Sequence, residues 1–568
     1  MKTKTRVFAV LSTALAIASG SFAASSAGAD TMPVNGSELR LIGRWTSGAG
    51  LGGAEISAVD KESKRLFVTN GAKNTIDIVD ISNLKKVKLV KSVDFTALGS
   101  TGIQSVAAKN GIVVVAAAGA SKTAAGILFV MDVNGKMVKG LPGGLAVGAL
   151  PDSVTISSDG KYAVSANEGE PKDYCLVNGA LPETSDPKGS ISIVDLEATP
   201  PTVKTIDFAS FAQRKNAIIY AGGRIFGPGA SVEQDLEPEY VAISADSTTA
   251  YVTLQENNSV ATVDLASATI TNILGLGYKN HNVYNTGLDM SDRDNAINIV
   301  PRNVQGMYLP DAIGAVTAGG NTYMVTANEG DAREWPCLLG GTSTTTAERE
   351  DLRYADVGLD TDLTPSSVAG RARVTVFPPA VVTGTIVTST TKVTPAYTFG
   401  GRSFTVWKTN SIDGVFNADI VYDSGDELER LVAARRPLLF NSDWNTETGL
   451  VGSFESRSAA KGPEPEGLAI GNAYGRQWMV LALERDSGIV LYDMTNPVLP
   501  QFRQYLNTSL PGGSIYQNNA GDVSPEGVLF LEAANSPTGK PLVIVSYELS
   551  GTVAMFELTA PAPTKAGK

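Results

Sequence analysis

The sequence is poor in nitrogen and sulfur metal ligands: among 568 residues there is one histidine, His281, and two cysteines, Cys175 and Cys337. That count excludes zinc, copper and haem sites built from several such side chains, and a Ser-His-Asp triad would rest on His281 alone. Positive charge is also short. Lys and Arg total 46 against 58 Asp and Glu, a formal net charge of −12. No internal segment supplies the basic stripe that phosphate neutralisation requires, so nucleic acid is not an expected partner. Long apolar runs are missing after residues 7–18, which follow Lys2, Lys4 and Arg6 and precede small residues. This is the pattern of a secretory signal peptide over residues 1–29, with cleavage expected after Ala23 or Ala29. With no later apolar stretch near the roughly 20 residues of a membrane span, a secreted monomer, extracellular or periplasmic, is expected. In such a compartment Cys175 and Cys337 can form a disulfide.

What the chain has in abundance is glycine, at 58 positions, and short strand-like segments that recur as one sentence. Asp152 opens a β-branched run, a Ser-Asp-Gly turn follows, a second run from Tyr162 ends at Asn167-Glu168, and a third spans 190–195. Copies open at Glu55, Gln104, Asp152, Glu239, Asp311, Glu466 and Glu526, giving seven. Each has three clear strands and a weaker fourth, which predicts an all-β fold, a seven-bladed β-propeller over residues 38–558 with a flexible tail at 559–568. The last copy stops after its third strand, so the unassigned segment 38–45 is expected to complete that blade and close the ring.

The topology gathers charge. First strands start, and second strands end, on the same face of a propeller. The opening acids therefore meet the residues that end the second strands, Glu168, Glu256, Glu329, Glu484 and Glu548. The long segments at 169–189 and 330–402, which carry Cys175 and Cys337, leave from that face too. Eleven acids sharing one mouth repel each other, and a hard cation with six to eight oxygen ligands relieves that repulsion. Calcium is the expected ion, with magnesium and manganese left open, and Glu55, Asp152, Glu168, Glu239, Asp311, Glu329, Glu466 and Glu526 are the candidate metal ligands. The glycines of Ala-Asn-Glu-Gly at 166–169 and 327–330 and of Pro-Glu-Gly at 465–467 and 525–527 would let carbonyls approach the ion. Such acids also serve as turn caps or partners of Arg. Arg302, Arg333, Arg402, Arg457 and Lys461 are expected near the mouth, where they would neutralise the acids or clamp a phosphate or carboxylate. His281 reads as a surface loop residue, and Asn257 and Asn507 head glycosylation sequons.

The segments at 166–171, 327–334, 422–427, 440–443, 461–467 and 550–552 resemble the choice-of-anchor I family of secreted bacterial propellers, over about residues 40–560. That family is related to mesenchyme-specific cell-surface glycoproteins and to atypical alkaline phosphatases. Trp444 stands where relatives carry His, and Ala459 and Ala460 where they carry acids. Two functions follow as expectations. One is a metal-dependent phosphoester hydrolase acting on a small anionic substrate, with Arg333 and Lys461 stabilising developing charge in catalysis. The other is a non-enzymatic, calcium-stabilised propeller that binds an extracellular partner, glycan or matrix.

Overall fold

The computed structural model describes residues 36–333, 350–377, 395–412 and 415–560. The expected signal peptide, Cys337 and the tail beyond residue 560 lie outside the described residues.

Among the described residues the chain is a β-propeller with seven four-stranded sheets. Second strands such as Arg65–Asn70, Ile112–Ala118 and Tyr162–Asn167 are buried almost throughout, because neighbouring sheets cover both faces. Fourth strands such as Lys88–Asp94 and Thr202–Asp207 face solvent and carry charge, which discourages pairing at the open edge. The core lies between sheets rather than within them. Phe67, Ile76 and Ile78 of the first sheet interlock with Val113, Val115 and Phe129 of the second. Leu66, Val68 and Val79 on the opposite face pack against Leu542, Ile544 and Val553 of the last.

Adjacent sheets also meet through their first strands. Contact runs from Ser57–Asp60 to Gly102–Lys109, Pro151–Ile156, Val241–Ile243, Ile313–Ala318, Pro465–Ala473 and Pro525–Leu531, and from there back to Ser57–Asp60. The N-terminal strand Leu39–Thr46 pairs antiparallel with Thr552–Leu558, with Leu39 opposite Leu558 and Thr46 opposite Thr552.

One part departs from expectation. Segments outside the repeat form a five-stranded sheet of Tyr278–Asn280, Val304–Met307, Ala396–Phe399, Arg373–Thr375 and Asp351–Arg353. Its strands have three or four residues, too few to show a period, and their partners lie far apart in sequence. Tyr354, Val357 and Val374 give it a small core of its own.

Gly43 of the N-terminal strand has no room for a side chain, since a Cβ there would stand 2.4 Å from the carbonyl oxygen of Leu84. Gly43→Val is expected to cost about 1–3 kcal/mol, read as a lower midpoint in denaturant. Deleting residues up to Thr46 is expected to lower it further and to promote aggregation through the bared strand Thr552–Leu558.

An acidic annulus at the mouth of the propeller

A recurring backbone contact brings the two classes of acid together. The amides of Glu168, Glu484 and Glu548, at the ends of second strands, donate to the carbonyls of Leu150, Glu464 and Ser524 at 2.8, 2.9 and 2.8 Å. Each acceptor lies two residues before a first-strand acid and is followed by proline. Leu150, Glu464 and Ser524 adopt φ of 47°, 54° and 63°, turning the chain sharply into the first strand. The asparagine before Glu168 fixes the end of its strand: Asn167 donates to Ser190 and Ser192 at 3.1 and 2.9 Å. Asn328, before Glu329, does the same with Ser403 and Thr405 at 3.2 and 2.8 Å. The Pro-Glu-Gly glycines serve sheet-to-sheet approach. A Cβ at Gly467 would lie 2.0 Å from the Glu526 carbonyl oxygen, and one at Gly527 would lie 2.6 Å from that of Glu55.

The eight candidate carboxylates form an annulus rather than converging on one point. Glu55, Asp152, Asp311 and Glu526 line a central cavity of about 690 Å³. Glu168 and Glu239 line a second pocket of about 320 Å³, together with Glu170, Glu237, Glu256 and Asp331. Glu329 lies apart with Glu464 and Glu484, the one trio among the described residues whose carboxylate oxygens fall within 4.8 Å of one another. Glu466 is buried and feels the charge of Glu329, Asp311 and Glu526.

Burial followed by mutual repulsion shifts the annulus upward. Glu55 rises to about 8, through burial and then Glu548 and Asp152. Asp152 rises to about 6, chiefly through burial. Glu256 and Glu329 each rise to about 7, again chiefly through burial. Glu168, Glu239, Asp311, Glu466 and Glu526 are raised well above ordinary carboxyl values, with burial first and neighbouring acids second. Glu464 is the exception. Despite its burial, Lys461, Arg457 and Arg485 hold it well below the usual range.

Positive charge is distributed unevenly. Lys461 bonds Glu329 and reaches Asp331 and Glu464 at 3.1 Å each, so an ammonium occupies the trio. Arg485 bonds Glu464 at 3.1 Å and Glu484 at 3.0 Å, and Arg457 pairs with Glu464. Arg333 pairs with Asp235 and, at 2.8 Å, with Glu237. Arg402 pairs at 2.8 Å with Glu429, away from the annulus. The second pocket is left with Arg333 as the one basic residue in its lining. There Glu237 Oε1, Glu239 Oε2 and Glu256 Oε2 are buried with no hydrogen-bond partner.

One reading of the sequence is corrected. His281 is 1% exposed, not a surface residue, because its loop folds inward. Its Nδ1 pairs with the Thr286 carbonyl at 2.7 Å, and burial lowers its pKa to about 3, leaving it neutral and outside the annulus. Asn257 of the first sequon is fully buried, its Nδ2 donating to the carbonyls of Arg224 and Asp235 at 3.0 and 2.6 Å. Trp444 packs with Ile515, Val523 and Leu549. The sequence reading passed over Glu237 and Glu464. Their signal was the Glu-Pro-Glu at 237–239 and 464–466, which puts a second acid two residues before each opening one.

The choice-of-anchor I domain family matches residues 55–497. Gigasin-3a of Magallana gigas is 30% identical over 168 residues, 28% of this chain and 57% of that protein. The mesenchyme-specific cell surface glycoprotein of Strongylocentrotus purpuratus is 27% identical over 355 residues, 59% of this chain and 42% of that protein. The chain thus spans about half the length of these curated relatives. Among solved structures, Kuenenia stuttgartiensis hydrazine synthase aligns with a TM-score of 0.41 and 14% identity, over 90% of this chain and 97% of that one. The Cps50 (Swd1) β-propeller domain of Myceliophteria thermophila aligns with a TM-score of 0.42 and 7% identity, over 92% of this chain and 100% of that one.

Carboxyls raised on folding favour the folded state fully below their unfolded pKa and lose that contribution as pH rises through the folded value. In chelator, stability is therefore expected to fall as pH rises from the ordinary values of 3.8 and 4.5 towards 8, checked by thermal denaturation across that series. A maximum at pH 8 in chelator would contradict this assignment. Lys461→Met strips the trio of its ammonium and is expected to cost about 3–5 kcal/mol, measured by denaturant titration.

Proposed function

We propose that this chain, which belongs to the choice-of-anchor I family, is an extracellular seven-bladed propeller, closed by its N-terminal strand, whose acidic mouth holds a hydrated calcium-type cation. The observation that carries this reading is the set of orphaned oxygens on Glu237, Glu239 and Glu256. All three line one pocket with six carboxylates and Arg333 in its lining, of which Glu170 and Asp331 pair with Lys122 and Lys461. Buried carboxylate oxygens without a donor are costly, and a hard cation with oxygen ligands satisfies several at once. Its size of about 320 Å³ leaves room for water ligands alongside Glu168, Glu239 and Glu256. An extracellular setting accords with the N-terminal signal pattern and with the printed name of the sea-urchin relative. The pairing of Cys175 with Cys337 belongs to the same reading.

Binding, rather than phosphoester hydrolysis, is the activity this arrangement supports best. Arg333 and Lys461 would have to leave buried carboxylate partners before either could hold a phosphoryl oxygen. Their charge answers the acids of the protein itself. The proposed role is therefore a cation-stabilised surface that engages an extracellular partner, glycan or matrix.

Calorimetric titration of chelated protein with calcium is expected to show saturable binding, weakened at least about tenfold by Glu239→Gln with Glu256→Gln. Calcium at about 100 times Kd is expected to raise stability by about 2.7 kcal/mol. Absence of calcium, magnesium and manganese binding would overturn the cation site. Phosphomonoester turnover in any metal state, abolished by Arg333→Met, would overturn the non-enzymatic assignment.

A further inference from the structure

The central cavity differs in chemistry from the cation pocket. At one end its lining has Glu55, Asp152, Asp311, Glu526 and Glu548, the collar contributed by the starts of first strands and the ends of second strands. Further along the same strands the wall turns apolar, with Ala58, Val59, Val106, Ile156, Leu529 and Leu531. Lys109 is the one basic residue in the lining, and it lies at the far end of Gly102–Lys109 from the collar residue Gln104. Ser57 and Ser153 also line the cavity. Their residues are 2% and 6% exposed, and neither hydroxyl has a hydrogen-bond partner.

These features narrow the class of occupant. An anion meets the collar as like charge. A neutral apolar molecule covers the wall but leaves desolvated carboxylates without a counter-charge. An inorganic ion serves the collar and makes no use of the wall. An ammonium on an unbranched hydrocarbon stem satisfies both, in the way that a lysine side chain lays its methylenes on apolar surface and keeps its charged tip among polar groups. We propose that the cavity is a second binding site, which takes such an ammonium at the collar of Glu55, Asp152 and Glu526 and its stem along the wall of Val106, Leu529 and Leu531. The hydroxyls of Ser57 and Ser153 supply further acceptors beside it. The same chemistry is presented by a free alkylamine and by a lysine side chain of a partner.

The test is calorimetric titration of the full mature chain, with calcium present throughout, using n-hexylammonium, n-hexanol and a capped lysine peptide. Hexylammonium is expected to bind at least about tenfold more tightly than hexanol, because only it makes charged hydrogen bonds at the collar. Glu526→Gln and, separately, Glu55→Gln are each expected to weaken hexylammonium about tenfold. Either variant suffices, provided that its circular dichroism and thermal midpoint show a folded chain. Glu239→Gln with Glu256→Gln is expected to reduce calcium binding and spare hexylammonium, so failure of the cation pocket and failure of the amine site read out separately. Peptide binding as tight as that of hexylammonium supports the site and names a partner's side chain as its source, whereas binding of hexylammonium alone supports it with a free amine. Equal affinity for hexylammonium and hexanol, no hexylammonium binding at millimolar concentration, or indifference to both collar substitutions would overturn the proposal.

Discussion

Like charge held at close quarters in a poorly solvated hub is the constraint on which the rest of this structure depends. Six of the seven four-stranded sheets contribute an acid where the first strand starts, the second sheet carrying Gln104 instead, and five contribute another where the second strand ends. Contacts between first strands, made close by Gly467 and Gly527, bring those acids within range of one another. Burial removes the water that would screen them, so the repulsion is expressed as raised carboxyl pKa values around the annulus.

The protein answers this repulsion in two ways on two arcs. Around Glu329, Glu464 and Glu484 it supplies its own cations, Lys461, Arg457 and Arg485. Glu464, which touches all three, is the carboxyl driven down rather than up. Around Glu237, Glu239 and Glu256 only Arg333 is at hand, and carboxylate oxygens stay unsatisfied. The cation site proposed above lies where the built-in ones run out. The basic residues of the mouth act mainly as struts. Arg224 joins Glu350, whose other oxygen accepts the Arg333 amide at 3.0 Å, tying the 350–377 segment to the connection before the fourth sheet. Buried pairs of this kind gain little net stability, but breaking one leaves an uncompensated charge.

Much of this was legible in one dimension. The repeat of strand, turn and strand ending in acid is local. It therefore located the starts of the seven four-stranded sheets and the N-terminal strand that pairs with Thr552–Leu558. Glu55, Asp152, Glu239, Asp311, Glu466 and Glu526 open first strands and Glu168 and Glu329 end second strands, and the structure spreads most of them over the central cavity, the second pocket and the trio of Glu329, Glu464 and Glu484. The short strands of the five-stranded sheet carried no period and stayed hidden. His281 read as exposed because the polar residues around it gave no hint that Thr286 would turn back onto its ring.

By itself the amino-acid sequence determined the all-β repeat, the placement of acids at most of its strand boundaries and the shortage of His and Cys that leaves oxygen as the ligand for any metal. Those properties depend on neighbours a few residues apart. Only the tertiary structure decided which acids are neutralised from within and which are not, because Lys461 meets Glu329 across 132 positions and Arg333 meets Asp235 across 98. Electrostatic energy depends on distance in space and on local water, and neither is written into the order of residues until the sheets have closed around them.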